Sequence, residues 1–356
     1  MIARAVGVWL GCLAVAGLTY VGVDGPHTLR LGLGLFALIA SLWITQALPL
    51  SATALLVPTL AALSGLLSVK DALSAFAQPV IFLFLGGFAL AAALTRHGLD
   101  RALAGQMLRW SHGDPRRAAW CLFGLTAFLS MWLSNTATTA MMLPLALGLL
   151  GGAVPSEDPA VRRTRWFLLL GLAFSASIGG MATLVGSPPN AIAAAATGTS
   201  FSAWMMRALP MTLVLLPASI GFLYLMLRPH WGAPVQSSPG ETTLPAWRWT
   251  RDRLVTLGIF GITVAGWVSG GWLGPALGVD QDVDTLVALL AIALLAISRV
   301  ISWTEIEQQT QWGVLLLFGG GLALSQVMIV SGASDFLASG LSGLLGGLPA
   351  WVMIGS

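Results

Sequence analysis

The sequence predicts an all-α polytopic membrane protein, and three observations lead there. Of 356 residues, 56% are hydrophobic and 9% charged, far from the roughly one quarter charged of soluble domains. The apolar residues form uncharged runs approaching the length a helix needs to cross a bilayer, about 20 residues. Two runs are interrupted where hydrocarbon should be driest, by Ser134-Asn135-Thr136 and by Gly186-Ser187-Pro188-Pro189-Asn190. Polar backbone is tolerated at that depth only where it lines a cavity. The 42 glycines and 15 tryptophans fit close helix packing and interfacial anchoring.

The first spans are Val6–Val23, Leu31–Leu50, Ala52–Leu67 and Val80–Thr95. Val6–Val23 has the weak basic start and small-residue end of a cleavable signal, and is read instead as a retained helix. Ala118 to Leu150 follows, divided by the SNT run into arms of 16 residues (Ala118–Leu133) and 14 (Ala137–Leu150). Each arm is too short for a crossing at about 1.5 Å per residue, so the expected element is a re-entrant helical hairpin with its polar tip near the midplane.

The run from Trp166 to about Ala196 contains Ser187, Pro188, Pro189 and Asn190. Two prolines remove two backbone donors and clash with the preceding turn, so the helix is expected to open there. The freed carbonyls, with Ser and Asn oxygens, suit a sodium ion. The plainer alternative is a proline kink. Leu209–Leu227, Leu254–Leu273, Thr285–Ile301 and Trp312–Val330 complete the spans. An amino terminus in the cytoplasm puts 14 of the 17 Lys and Arg residues inside, leaving Arg30, Lys70 and Arg207 outside.

A repeat displaced by 234 residues pairs Phe84 with Phe318, Gly86 with Gly320, Gly87 with Gly321, Ala89 with Ala323, Leu90 with Leu324 and Gly98 with Gly332. The two copies run in opposite senses across the membrane in this topology, the usual scaffold of a secondary transporter. The expected architecture is therefore an inverted-repeat secondary transporter with scaffold helices in 1–76, a first transport repeat in 77–208, scaffold helices in 209–303 and the start of a second transport repeat in 304–356. The same displacement puts a second hairpin tip near position 368, so the second repeat is incomplete and a carboxy-terminal truncation from about 460 residues is expected.

At the hairpin tip, the amino-terminal end of the second arm offers free N–H groups to an anion. Asn135 and Thr136 are candidate donors to a carboxylate or sulfate oxygen. Ser130 lies one turn before Ser134, so both hydroxyls can face one cavity, unless Ser130 bonds back to its own helix. Other chemistry finds little support. Cys12 and Cys121 lie in apolar runs and read as free thiols, and the four histidines lie in or beside loops without metal-ligand spacing. No catalytic residue, organic cofactor or metal other than sodium is expected. An intramembrane hydrolase would need an embedded Ser-His pair, paired Asp residues or HExxH, and the spans hold none. The net charge of +3 reflects cytoplasmic loops rather than nucleic-acid binding.

Four segments, WITQALPLSATALLVPTL from Trp43, MWLSNTATTAMMLPLA from Met131, ATLVGSPPNAI from Ala182 and WGVLLLFGGGLAL from Trp312, resemble the divalent anion/sodium symporters. The resemblance covers nearly the whole chain and is most specific in the ordered pair SNT and GSPPN. It implies an elevator-type, sodium-coupled symport of a small divalent anion, a homodimer in the lipid bilayer, and by extension a bacterial inner membrane. One sodium would sit between the first hairpin tip and the opened helix, at Ser130, Ser134, Asn135 and Gly186. The substrate would lie between two SNT tips, of which this chain contains Asn135 and Thr136. The SNT motif favours a C4-dicarboxylate such as succinate or malate. A sulfate or citrate carrier, an anion exchanger of the same fold, and a non-transporting fragment lacking half the binding site are the alternatives.

Overall fold

The computed structural model describes residues 2–112, 114–149, 158–231, 249–279 and 282–345. Among these every regular element is helical. The chain opens with α1 (Ile2–Gly22), α2 (His27–Thr45), α3 (Leu50–Leu63) and α4 (Val69–Ser74), then a 3-10 turn (Ala75–Ala77), α5 (Pro79–Arg96) and α6 (Leu99–Trp110). The hairpin arms are α7 (Pro115–Ser130) and α8 (Asn135–Gly148), and the broken helix is α9 (Pro159–Gly180) with α10 (Pro188–Thr197). There follow α11 (Phe201–Leu227), α12 (Arg251–Val268), α13 (Gly270–Leu277), α14 (Val283–Ser298), α15 (Trp303–Gln309), α16 (Trp312–Val330) and α17 (Ala333–Leu345).

The segments His27–Thr45, Val69–Arg96, Phe201–Leu227 and Trp312–Val330 are long and apolar enough to cross a membrane. Several expected boundaries move. The span Leu31–Leu50 stops at Thr45, because Gln46 takes a left-handed conformation and Pro49 caps the next helix. The span Leu254–Leu273 is bent by 80° between α12 and α13. Gly270 sits at the bend, and the Asp284 carboxylate lies 2.7 Å from where its Cβ would be. Helix α11 starts eight residues earlier than Leu209, since Ser200 accepts from Ala203 N at 3.3 Å as its N-cap. It continues for 27 residues through Pro210 and Pro217.

The chain divides into two compact units, residues 1–81 with 311–356, and residues 82–310. In the first, α1 lies along α2 and α16 packs on α3. Its core joins Leu35 and Ile39, Val57 and Ala61, and Ala323, Leu324 and Val327. In the second, α5 (Leu83, Ala89, Ala93) meets α14 (Ala288, Ala291, Leu295), the opened segment of the broken helix (Leu184, Val185) and Trp267. Leu122, Leu125 and Leu129 of α7 cluster with Met142 and Ala146 of α8 and Leu172 of α9, so the two arms double back on each other and lean on α9.

The 234-residue displacement recurs in the helices themselves. Ser68 and Ser302 both N-cap a short helix, accepting from Asp71 N and Glu305 N, and both hydroxyls donate to those carboxylates at 2.6 Å. Gly65 and Arg299 are both left-handed, as are Gly98 and Gly332. Gly86 of α5 lies against the backbone of Ala288 in α14, and Gly320 of α16 lies against the backbone of Ala54 in α3. Residues 346–356, the stretch expected to lead into a second hairpin, lie outside the described residues.

Candidate functional site

Each hairpin arm is started by its own cap. Asp114 accepts from Arg116 N at 2.9 Å and Pro115 opens α7. Ser134, with extended φ and ψ, accepts from Ala137 N at 3.3 Å and N-caps α8. A Ser in that position starts a helix by supplying an acceptor to an orphaned N–H. The SNT run therefore lies at a helix amino terminus, and the helical arms have the expected lengths of 16 and 14 residues. Asn135 is half-buried and Thr136 exposed.

The broken helix opens upstream of its prolines. Helix α9 ends at Gly180, and Pro188 and Pro189 occupy the first turn of α10, where a missing N–H costs no helical bond. The prolines start the second half; the opened segment is 181–187. Protein donors satisfy several of the freed carbonyls. Asn190 Nδ2 donates to Gly180 O at 2.8 Å and to Thr183 O at 2.7 Å, and Trp204 Nε1 donates to Met181 O at 3.0 Å. This accounting matters because an unpaired buried carbonyl costs about 1–3 kcal/mol.

Hairpin tip and opened segment meet through backbone. Ser130, fully buried, donates its hydroxyl to Asn135 Oδ1 at 2.6 Å, so it does not bond back along its own helix. A Cβ on Gly180 would stand 2.2 Å from Asn135 Oδ1 and 3.1 Å from Gly186 O. A Cβ on Gly186 would stand 2.5 Å from Gly180 O and 2.8 Å from Ser130 O. A Cβ on Gly179 would strike the Ala127 backbone. Ser130, Asn135, Gly180 and Gly186 thus bring uncharged oxygens together at a point with no room for added side chains. Oxygen ligands without a competing cationic side chain suit a hard cation. The structure brings Ser130, Asn135 and Gly186 together, while the Ser134 hydroxyl serves the α8 cap.

Three residues at this junction were not singled out by the sequence. Gly180 is marked only by the Gly179-Gly180 pair. Thr183, in ATLVG, is fully buried and contacts both segments, donating to Met131 O at 2.5 Å and accepting from Gly186 N at 3.2 Å. Trp132, inside the tip, stacks on Phe201 and Trp267 with centroids 6.5 Å away in each case. Asp284 holds that aromatic group in place, accepting from Phe201 N at 2.6 Å while its own carbonyl accepts from Trp267 Nε1 at 2.9 Å. Among the described residues, no group of three or more His, Cys, Asp or Glu is placed to hold a metal ion.

The family model of citrate transporters matches residues 40–356, a range that contains both the hairpin and the broken helix. The chain belongs to the citrate transporter family. This agrees with the resemblance to divalent anion/sodium symporters, and makes the chain an integral membrane transporter rather than an enzyme. Among relatives of this citrate transporter family member, an uncharacterized transporter of Haemophilus influenzae is 45% identical over 323 residues, covering 89% of this chain and 68% of its own. An uncharacterized transporter of Methanocaldococcus jannaschii is 36% identical, covering 91% and 71%. The sodium-dependent dicarboxylate transporter SdcS of Staphylococcus aureus is 30% identical over 348 residues, covering 89% and 65%. The chain therefore spans about two thirds of the length of these relatives.

Proposed function

We propose that this transporter carries a small divalent anion, most simply a C4-dicarboxylate such as succinate or malate, in symport with sodium. The observation that carries the reading is the convergence of Ser130, Asn135, Gly180 and Gly186 oxygens at the contact between hairpin tip and opened helix. Sodium at Ser130, Ser134, Asn135 and Gly186 would be a co-transported ion, held by hydroxyl, amide and backbone oxygens. The Asn135 side chain then serves both ions. Its Oδ1 faces Ser130 and Gly180, which leaves its amide N–H groups, with the Thr136 hydroxyl and the α8 amino terminus, to donate to a carboxylate of the substrate. Cation binding at the oxygen cluster fixes the tip in the orientation that receives the anion, and this shared side chain is the physical basis of coupling.

The name of the Staphylococcus aureus relative supports both the dicarboxylate and the sodium. The family's name supports citrate as the second reading, since citrate presents the same carboxylates to the same donors. We further assign an inverted repeat, supported by the reciprocal Gly86–Ala288 and Gly320–Ala54 crossings. Residues 77–208 and 304–356 belong to the moving part of an elevator, and 1–76 and 209–303 to its scaffold. The protein works as a homodimer in a bacterial inner membrane, with its amino terminus in the cytoplasm.

The test is uptake of labelled succinate by proteoliposomes under an inward sodium gradient, with choline replacing sodium in the control. Sodium-dependent uptake that citrate or sulfate inhibits weakly supports the C4-dicarboxylate; strong inhibition by citrate supports the second reading. Uptake indifferent to sodium overturns the coupling. No uptake of succinate, citrate or sulfate, each tested as the labelled anion, overturns the transport reading.

A further inference from the structure

Threonine hydroxyls in this chain commonly bond back along their own helix, as Thr126 does to Leu122 O at 2.6 Å, Thr263 to Ile259 O at 2.7 Å and Thr310 to Ile306 O at 2.7 Å. That habit satisfies a polar group in an apolar setting without tying one segment to another. Thr183 departs from it. Its hydroxyl reaches 52 residues back in sequence to donate to the Met131 carbonyl, while accepting from Gly186 N–H three residues ahead.

We infer that Thr183 is the positioning residue of the sodium site, holding the hairpin tip and the opened helix in register without itself binding the ion; this rests on the sodium reading proposed above. Met131 directly follows Ser130 in the chain, and Gly186 is the residue whose Cβ position lies 2.8 Å from Ser130 O and 2.5 Å from Gly180 O. A single hydroxyl, using its donor on one segment and an acceptor lone pair on the other, fixes the separation between carbonyls contributed by two different elements. Geometry of this kind governs affinity for a hard cation, because sodium takes oxygens only at a narrow range of distances and has no directional bonding to compensate for a displaced ligand. Asn190 complements this from the other side by gathering Gly180 O and Thr183 O onto one amide, so the opened segment is held from within as well as across. Valine has nearly the shape of threonine and would remove the partner of Met131 C=O and of the buried Gly186 N–H, whereas serine would retain both bonds.

The test is sodium binding by the purified protein in detergent, read as the sodium concentration giving half-maximal thermal stabilisation with choline keeping ionic strength constant. Thr183→Val is expected to raise that concentration about tenfold or more, and Thr183→Ser to leave it within about threefold. Should Thr183→Val fail to fold, Thr183→Cys, whose thiol is a weak donor in the same place, carries the same expectation. A lower melting temperature in choline with an unchanged sodium midpoint would mean that Thr183 is merely structural, and would overturn the inference. Asn135→Ala is measured in parallel. If it loses sodium stabilisation while Thr183→Val keeps it, the positioning role alone falls. If Asn135→Ala responds to sodium like the parent protein, or the parent does not respond, the sodium site itself is misassigned and the role of Thr183 falls with it.

Discussion

Ser130 Oγ donates to Asn135 Oδ1 across 2.6 Å, joining the last residue of α7 to the first residue of α8. The bond holds the Asn135 amide oxygen toward Ser130 and Gly180, and in the proposed site the amide N–H groups serve the anion. Asn135→Ala is therefore expected to abolish both sodium-dependent stabilisation and sodium-driven succinate uptake. Asn135→Asp keeps the oxygens but loses the amide donors, and is expected to retain sodium binding while losing the anion. Equilibrium binding of labelled sodium and of succinate to the two variants checks the division.

Glycine at the junction is a steric requirement. Gly180→Ala puts a methyl 2.2 Å from Asn135 Oδ1, and Gly186→Ala puts one 2.5 Å from Gly180 O. Both are expected to weaken sodium binding by at least tenfold and to cost about 1–3 kcal/mol from overpacking. Gly221→Ala is the control, since nothing lies within 4 Å of its added Cβ in α11; it is expected to be neutral or to stabilise by up to about 1 kcal/mol. Melting temperatures in detergent, with and without sodium, separate the two effects.

The paired crossings predict paired costs. Gly86→Val forces α5 off Ala288 and Gly320→Val forces α16 off Ala54, since backbone atoms of these alanines stand within 2.9 Å of the respective glycine Cβ positions. Each is expected to lower folded yield and to destabilise by about 3 kcal/mol or more, toward and beyond the upper end of overpacking costs. A large effect at one position with none at the other would argue that the two crossings are not equivalent.

Asp284 tests the aromatic support beneath the tip. Asp284→Ala leaves Phe201 N–H without its acceptor and is expected to destabilise by about 1–3 kcal/mol, while Asp284→Asn, which keeps one acceptor oxygen, is expected to cost less than half of that. Quenching and wavelength shift of tryptophan fluorescence would report whether Trp132 and Trp267 remain stacked, set against the other tryptophans by a Trp132→Phe background.

Much of the fold is legible in the residues because its causes are local. Chain composition and long apolar runs require helices in a membrane. Ser134 and Asp114 are good caps, so the arms come out at the expected lengths even though each begins and ends a few residues earlier than hydropathy alone suggests. The proline pair was legible as a break but not as to its place, because prolines at the start of a helix and prolines ending one share a pattern. Only the observed first-turn position of Pro188 and Pro189 decides that the opening precedes them. The bend at Ser269 was missed for a related reason, since hydropathy continues smoothly through Gly270 and Gly271.

By itself the sequence determined that the chain is a helical membrane protein and that two of its apolar runs are interrupted, at SNT and near GSPPN, and it raised the expectation of a repeat displaced by 234 residues. Tertiary structure decided what those openings face. Whether Gly180 has room for a methyl, whether Thr183 bonds its own helix or Met131, and which carbonyls Asn190 and Trp204 claim all depend on contacts between residues distant in sequence. Propensity and periodicity are properties of a few consecutive residues, while the oxygen cluster exists only after the hairpin has closed against α9 and two glycines have let the backbones approach.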